Sequence, residues 1–263
     1  MVILKSEELH PILLDIAKEF HRICSRNGIR YWMVGGTQLG SVRHKGFIPW
    51  DDDMDFGILT DDWDKFLTVL KEELPYPYRV RTIENCSKIL TSVLKIEDCR
   101  TVINPDIKSQ KEEDNIGVNI DVFPLVYTNS RKDFMSRNWW IAFLIKVQYW
   151  RFGNYKNTGV GHLISRIVKV TCFWLKKGQI TRYINKHLLG NQGGCITNFW
   201  GRWILNEIIP VSIFGEPELY IFENTKFYGV EKYHDYLTAL YGDYMIIPPE
   251  NKRHLHIENM YWK

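Results

Sequence analysis

The segment "WDDDMDFGI", residues 50–58, sets Asp51, Asp52, Asp53 and Asp55 at the entrance of an apolar run. Neighbouring carboxylates repel one another when ionised. Ile48, Trp50, Met54, Phe56 and Ile58 mark the same stretch as at least half buried. Burial in that company requires a positive counterpart, either basic side chains or a metal ion. In extended chain, side chains alternate between faces. Asp53 and Asp55 then share a face, with Asp51 in line, while Asp52, Met54 and Phe56 point the other way. Two carboxylates so placed can share a hard cation such as Mg²⁺, with Mn²⁺ as the alternative. The plain alternative is a solvated acidic turn in which one Asp caps a neighbouring element.

Two further features bear on that choice. Gly35-Gly36 lies between an apolar stretch and a helical one, where bare backbone can approach a phosphate. It reads equally as a tight strand-to-helix turn. Downstream, "NIDVFP" sets Asp121 between Ile120 and Val122 in an apolar strand, where a buried carboxylate needs a partner. Asp121 alone would be a hydrogen-bonded structural residue. Taken together, the three features describe a cation site over a phosphate, with a carboxylate presented to an attacking hydroxyl.

The elements that must position these groups follow from the hydrophobic pattern. Ser6, Glu7 and Glu8 start a helix whose apolar positions, Leu9, Ile12, Leu13, Ile16, Phe20 and Ile23, run to Asn27-Gly28. "IRYWMV" reads as a strand, "TQLGSVR" as a short helix starting at Thr37, and "DMDFGIL" as a second strand. Thr60 reads as the cap of the next helix. Strands follow near residues 78–83, 89–96 and 117–123, with a charged loop over 105–115. After Pro124 the character changes to amphipathic helices with basic faces. "ELYIFENTKFYGV" reads as a hairpin and "EKYHDYLTALYG" as a helix. The fold class is α/β (α+β): a mixed-sheet catalytic core over residues 1–130, a basic, aromatic helical subdomain over 131–206, and a segment returning to the core over 207–263.

Composition sharpens that division. The 263-residue chain carries a net charge of only +3, yet Phe134 to Asn206 contains no Asp or Glu and eleven Lys or Arg. The remainder therefore carries 3 − 11 = −8. Aromatic residues make up 14% of the chain, with ten Trp and fourteen Tyr. Most of these are expected in the core. The five Cys are scattered without a C-x-x-C pair, which indicates reduced thiols rather than a disulfide framework or a zinc site. The N-terminus turns acidic too early for a secretory signal, and no apolar run is long enough for a spanning helix.

"YWMVGGTQLGSVRHKGFIPWDDDMDFGI", with "NIDVFPL" and "YLTALYGDYMIIPPENKRHLH", resembles the sequence blocks of the LicD family. Members of that family move phosphocholine from CDP-choline to cell-surface glycans such as lipopolysaccharide or teichoic acid, and fukutin-related proteins are distant relatives. The segment 131–206 lies outside the resemblance. It implies a nucleotidyltransferase-like core in which Asp53, Asp55 and Asp121 hold Mg²⁺, with Asp121 completing the metal site or accepting the acceptor's proton. Gly35, Gly36 and Thr37 would meet the donor, together with Arg43, His44, Lys45, Arg253 and His254. Arg43, His44 and Lys45 read otherwise as a solvated basic loop, and Arg253, His254 and His256 as a structural or solvated cluster. The zinc-binding insert of fukutin-related proteins has no matching cysteine cluster here.

The partners implied are CDP-choline or a similar CDP-alcohol and a glycan acceptor, including a lipid-linked precursor. The basic segment adds an anionic membrane surface in preference to nucleic acid. A cytoplasmic enzyme, peripheral on the inner face of the membrane, is expected. Two other readings stay open: a nucleotidyltransferase that moves the nucleotide itself, and a non-catalytic glycan- or nucleotide-binding protein. For the basic helices, the bland reading is a helical cap with a solvated outer face.

Overall fold

Helix α1, Ser6–Arg26, buries Leu9, Leu13, Ile16, Phe20 and Ile23 along one stripe, as its periodicity requires. The stripe packs on a mixed sheet in a computed structural model that describes residues 2–3, 6–103, 115–153, 160–187, 192–201, 206–253 and 259–263. The strands are β1 (Val2–Ile3), β2 (Trp32–Met33), β3 (Asp55–Leu59), β4 (Tyr78–Arg81), β5 (Leu94–Asp98), β6 (Thr101–Ile103), β7 (Asn119–Thr128), β8 (Cys195–Thr197), β9 (Ile209–Pro210), β10 (Glu218–Phe222), β11 (Thr225–Gly229) and β12 (Met260–Trp262). The helices after α1 are α2 (Gly35–Arg43), α3 (Thr60–Glu73), α4 (Arg131–Phe152), α5 (Val160–Thr171), α6 (Gln179–His187), α7 (Val211–Phe214) and α8 (Tyr233–Tyr241).

The central sheet runs β2-β3-β7-β5-β4. Among the described residues of this sheet only the β3–β7 pair is parallel; β2, β5 and β4 pair antiparallel with their neighbours. Strand β7 changes partner along one edge. It pairs with β5 through Val122 and with β8 from Val126 onward. Pro124 lies at this handover, where no hydrogen-bond donor is needed on that side. Strand β9 extends the branch through β8. A small sheet β1-β12-β6 and the hairpin β10-β11 complete the topology.

Part of the aromatic complement fills the interior, while Phe143, Tyr149, Phe173, Trp174 and Tyr183 of the basic segment are exposed. Phe20 meets Tyr31, Phe56 and Phe66 at ring-centroid distances of 4.8, 4.8 and 5.8 Å. A second apolar cluster joins Trp32, Leu59 and Leu125 of the sheet to Ile141 of α4, Ile180 and Ile184 of α6, and Leu237 of α8. Polar ties fix the helices to the sheet side. Gln148 on α4 donates to the Leu90 carbonyl and to Thr181 Oγ1 on α6. Buried Glu97 accepts from Arg79, Arg81 and the Gly117 amide, so its charge is matched.

Several local expectations change. The second strand is only two residues long, and α2 begins at Gly35 rather than Thr37. The Gly35 amide donates to the Tyr236 hydroxyl at 3.0 Å, a contact from a distant helix that steadies this early start. Strand β3 begins at Asp55; residues 51–54 are irregular, turned by the Asp51 amide donating to the Ile48 carbonyl. Thr60 is the first residue of α3, not its cap: Leu59 occupies the cap position and Thr60 Oγ1 is buried without a hydrogen bond. The charged loop 105–115 lies outside the described residues except for Asn115. All five cysteines are free. Among the described residues no helix is long and apolar enough to cross a membrane.

Candidate active site

A row across three strands forms the floor of the site. Asp55 on β3 stands opposite Asp121 on parallel β7, and Asp121 stands opposite Lys95 on antiparallel β5. Strands lie about 4.8 Å apart, so paired residues present neighbouring side chains on one face. Lys95 Nζ donates to Asp121 Oδ1 at 2.5 Å and to Asn119 Oδ1 at 3.1 Å. The Lys95 and Asp121 side chains keep 25% and 22% of their surface exposed, so the pair opens to the cleft rather than being sealed.

The Asp51–Asp53 segment closes over one end of this row. It does so as an irregular turn, not by strand alternation, and Asp52 joins its neighbours instead of pointing away. Oxygens of Asp51, Asp52 and Asp53 lie within 4.8 Å of one another. His10 of α1 donates through Nε2 to the Asp51 carbonyl at 2.8 Å, and its ring stacks on Phe47 at 4.0 Å. Thr37 Oγ1 accepts from the Asp55 amide at 2.7 Å. Thr37 thus holds the start of β3 from inside the fold.

Gly36 has a steric reason to lack a side chain: a Cβ there would lie 2.7 Å from Asp51 Oδ2. Gly35 has φ +55°, a conformation that favours glycine, and a Cβ there would meet Asp55 Oδ2 and the Tyr241 hydroxyl. The glycine pair therefore lies against the carboxylates themselves.

The electrostatics are those of crowded acids. Burial first, and the charge of Asp53 second, push the Asp51 carboxyl up to about 8. Asp55 is driven well above the ordinary range by burial, then by Asp53, Asp121 and Asp51, with Lys95 opposing. Burial disfavours the Lys95 ammonium, but the adjacent Asp121 carboxylate outweighs this and raises its pKa. Burial and then Asp55 also raise the Tyr241 phenol. One lysine does not neutralise Asp51, Asp53, Asp55 and Asp121. An all-oxygen donor set carrying surplus negative charge fits a hard divalent cation.

These groups line a cleft of about 900 Å³ that also includes Gly35, Gly36, Arg43 and Trp50. Tyr149, Trp200, Tyr244 and Glu207 also line it, as does Tyr241, whose hydroxyl lies beside Gly35 on the carboxylate side. The basic candidates divide. Arg43 reaches the cleft wall, but its guanidinium donates to the Tyr244 and Ile246 carbonyls at 2.7 and 3.4 Å, holding the C-terminal block. His44 and Lys45 are not among the lining residues. His44 packs edge-on to Trp50, and the Lys45 carbonyl accepts from the Glu223 amide. Arg253 stacks over Trp50 at 4.3 Å and donates to the Pro248 carbonyl. His254 and His256 lie outside the described residues.

Lys95, Tyr236 and Tyr241 stand at the site without a distinguishing sequence signal of their own. Lys95 was visible as a lone cation between Leu94 and Ile96 in an apolar strand, but "LKIED" equally fits an exposed alternating edge. Tyr236 and Tyr241 sit in the quoted C-terminal block without any pattern that separates them from core tyrosines.

Over 263 residues the chain is 30% identical to the lipopolysaccharide cholinephosphotransferase LicD of Haemophilus influenzae, covering 97% of each protein. This chain belongs to the LicD family. A family model described as the LicD/FKTN/FKRP nucleotidyltransferase domain matches residues 28–154, which hold the whole carboxylate row and Lys95. Human ribitol 5-phosphate transferase FKRP is 54% identical over 50 residues, or 19% of this LicD-family chain and 10% of FKRP. Among solved structures, terminal uridylyl transferase 4 of Trypanosoma brucei aligns over 70% of this chain and 58% of its own, at 13% identity and a TM-score of 0.25, too slight a likeness to argue from. The LicD-family fold here is mixed α/β, as the sequence pattern indicated.

Proposed function

We propose that the protein transfers phosphocholine from CDP-choline to a hydroxyl of a cell-surface glycan or of its lipid-linked precursor. The observation that carries the reading is the convergence of Asp51, Asp53, Asp55 and Asp121 on a cleft edged by Gly35 and Gly36. Whole-length similarity to a cholinephosphotransferase supports the choice of alcohol. So do the aromatic residues of the cleft lining, Tyr149, Trp200, Tyr241 and Tyr244, since quaternary ammonium groups bind over aromatic faces.

Asp51, Asp53, Asp55 and Asp121 would hold Mg²⁺ or Mn²⁺, which supplies charge neutralisation for the transferring phosphoryl group. Lys95 engages one oxygen of Asp121 and orients that carboxylate. The acceptor oxygen attacks the choline-bearing phosphorus as its proton passes to Asp121. The bond from that phosphorus to the bridging oxygen breaks, and CMP leaves. The backbone of Gly35 and Gly36 can approach the phosphates because neither position carries a side chain.

A second reading is nucleotidyl transfer, which the description of the matching family domain favours. The products separate the two. Purified protein is offered CDP-choline, CDP-ethanolamine, CDP-glycerol and CDP-ribitol with a glycan acceptor and Mg²⁺. Release of CMP, highest from CDP-choline, supports phosphocholine transfer. Pyrophosphate release from a nucleoside triphosphate, without CMP from any CDP-alcohol, overturns it.

A further inference from the structure

Helix α5 is apolar on two sides. Ile164, Ser165, Val168 and Cys172 turn inward, and Ser165 Oγ donates to the Trp150 carbonyl of α4. The outward side carries Leu163, Ile167 and Val170, exposed by 59%, 54% and 74%. Their spacing of four and three residues puts them in one stripe. Beyond the helix end, Phe173 and Trp174 continue the patch at 74% and 62% exposure. Five large apolar side chains exposed within twelve residues suit an interaction surface better than ordinary solvent-facing structure.

Charge selects the partner. Arg166 and Lys169 fall on the flank of the stripe at one helical turn's spacing, and Lys176 follows Trp174; all three are exposed. None of the three has an ion-pair partner among the described residues, and the nearest acidic residues in sequence are Asp133 and Glu207. Other cations of the segment are already used within the fold. Lys177 donates to the Ile83 and Cys86 carbonyls, Arg182 pairs with Glu84 at 2.8 Å, and Arg151 donates to the Cys172 carbonyl. An apolar stripe, a cationic flank and a terminal tryptophan match an element lying in the interface of an anionic bilayer.

We propose that the outward face of α5, continued by Phe173 and Trp174, docks on an anionic lipid surface, with Arg166, Lys169 and Lys176 meeting the headgroups. Tyr149 on the packed neighbour α4 lines the cleft, so docking this face also fixes where the cleft lies relative to the bilayer. This docking does not depend on which group the cleft transfers, and the binding assay requires no turnover.

Flotation of the full chain tests it. Vesicles of phosphatidylcholine with phosphatidylglycerol should carry the protein at low salt and release most of it at high salt, while pure phosphatidylcholine vesicles should not carry it. Replacing Lys169 and Lys176 with Gln should weaken binding about 30-fold. Replacing Phe173 and Trp174 with Ser should abolish salt-resistant residual binding. Both pairs are exposed, so circular dichroism and turnover on a soluble acceptor should match the parent. Absence of flotation with the anionic vesicles at low salt would overturn the proposal. So would binding left intact by both double variants, or a stable dimer dissociated by Phe173→Ser with Trp174→Ser, which would make the face a contact between copies.

Discussion

Asp55 and Asp121 are directly paired across parallel strands β3 and β7, so a parallel pairing in the central sheet forces two carboxylates into adjacency. Pairing like charges opposite each other costs stability. Lys95 completes the row and offsets part of that cost.

Asp55→Asn should remove turnover while raising the melting temperature of the metal-free protein, because repulsion is relieved at constant volume. Asp121→Asn should lower turnover by about 10²–10⁴ with little change in donor KM. Steady-state kinetics and thermal melts check both. Near-normal turnover in either variant would remove that residue from the chemistry.

Lys95→Met should destabilise the metal-free protein by about 2 kcal/mol, the scale of a lost hydrogen bond to a charged group. Saturating Mg²⁺ should shrink that deficit, since a cation would replace the missing charge. Urea titrations with and without Mg²⁺ measure it. A deficit unchanged by Mg²⁺ would mean that the cation does not reach Asp121.

The Asp51 carboxyl gives a pH signature. Its folded pKa, raised by burial and then Asp53, is about 8, against an unfolded value near 4. Between those values the folded chain keeps a proton that the unfolded chain has released. Stability from this group is therefore full below about pH 4 and is lost as pH rises toward about 8. Histidines titrate in the same range, so the measurement is the difference in melting temperature between the parent and Asp51→Asn without metal. That difference should increasingly favour the variant from pH 5 to pH 8. A flat difference would refute the burial of an uncompensated acid.

Tyr149→Ala should raise KM for CDP-choline roughly fivefold, about 1 kcal/mol of cation–π contact, and leave KM for CDP-glycerol unchanged. Equal effects on both donors would assign Tyr149 to packing rather than to recognition of the ammonium head.

Much of this was legible from the chain. Helix α1 and the hairpin β10-β11 follow from local periodicity and turn residues, which tertiary contacts did not override. Asp121 stood out because a carboxylate in an apolar strand needs a partner. The identity of that partner was not legible, because Lys95 and Asp121 meet only through the β5–β7 register, 26 residues apart. The same limit explains the early start of α2 and the late start of β3. The first is set by Tyr236, whose contact with Gly35 spans 201 residues; at β3 the long-range tie is Thr37 accepting from the Asp55 amide, added to the local turn from Ile48 to Asp51. Lys177 showed the reverse: a residue that reads as a surface charge is spent on two backbone carbonyls.

The handover at Pro124 has a consequence for what the cleft can admit. One continuous strand carries Asp121 in its first half and the β8 branch, leading to Asn198 and Trp200 of the cleft lining, in its second. The Asp121 end of the cleft and the Asn198–Trp200 part of its lining are thus tied to one strand. Discrimination between donors of different girth would then act as a caliper with a locked jaw.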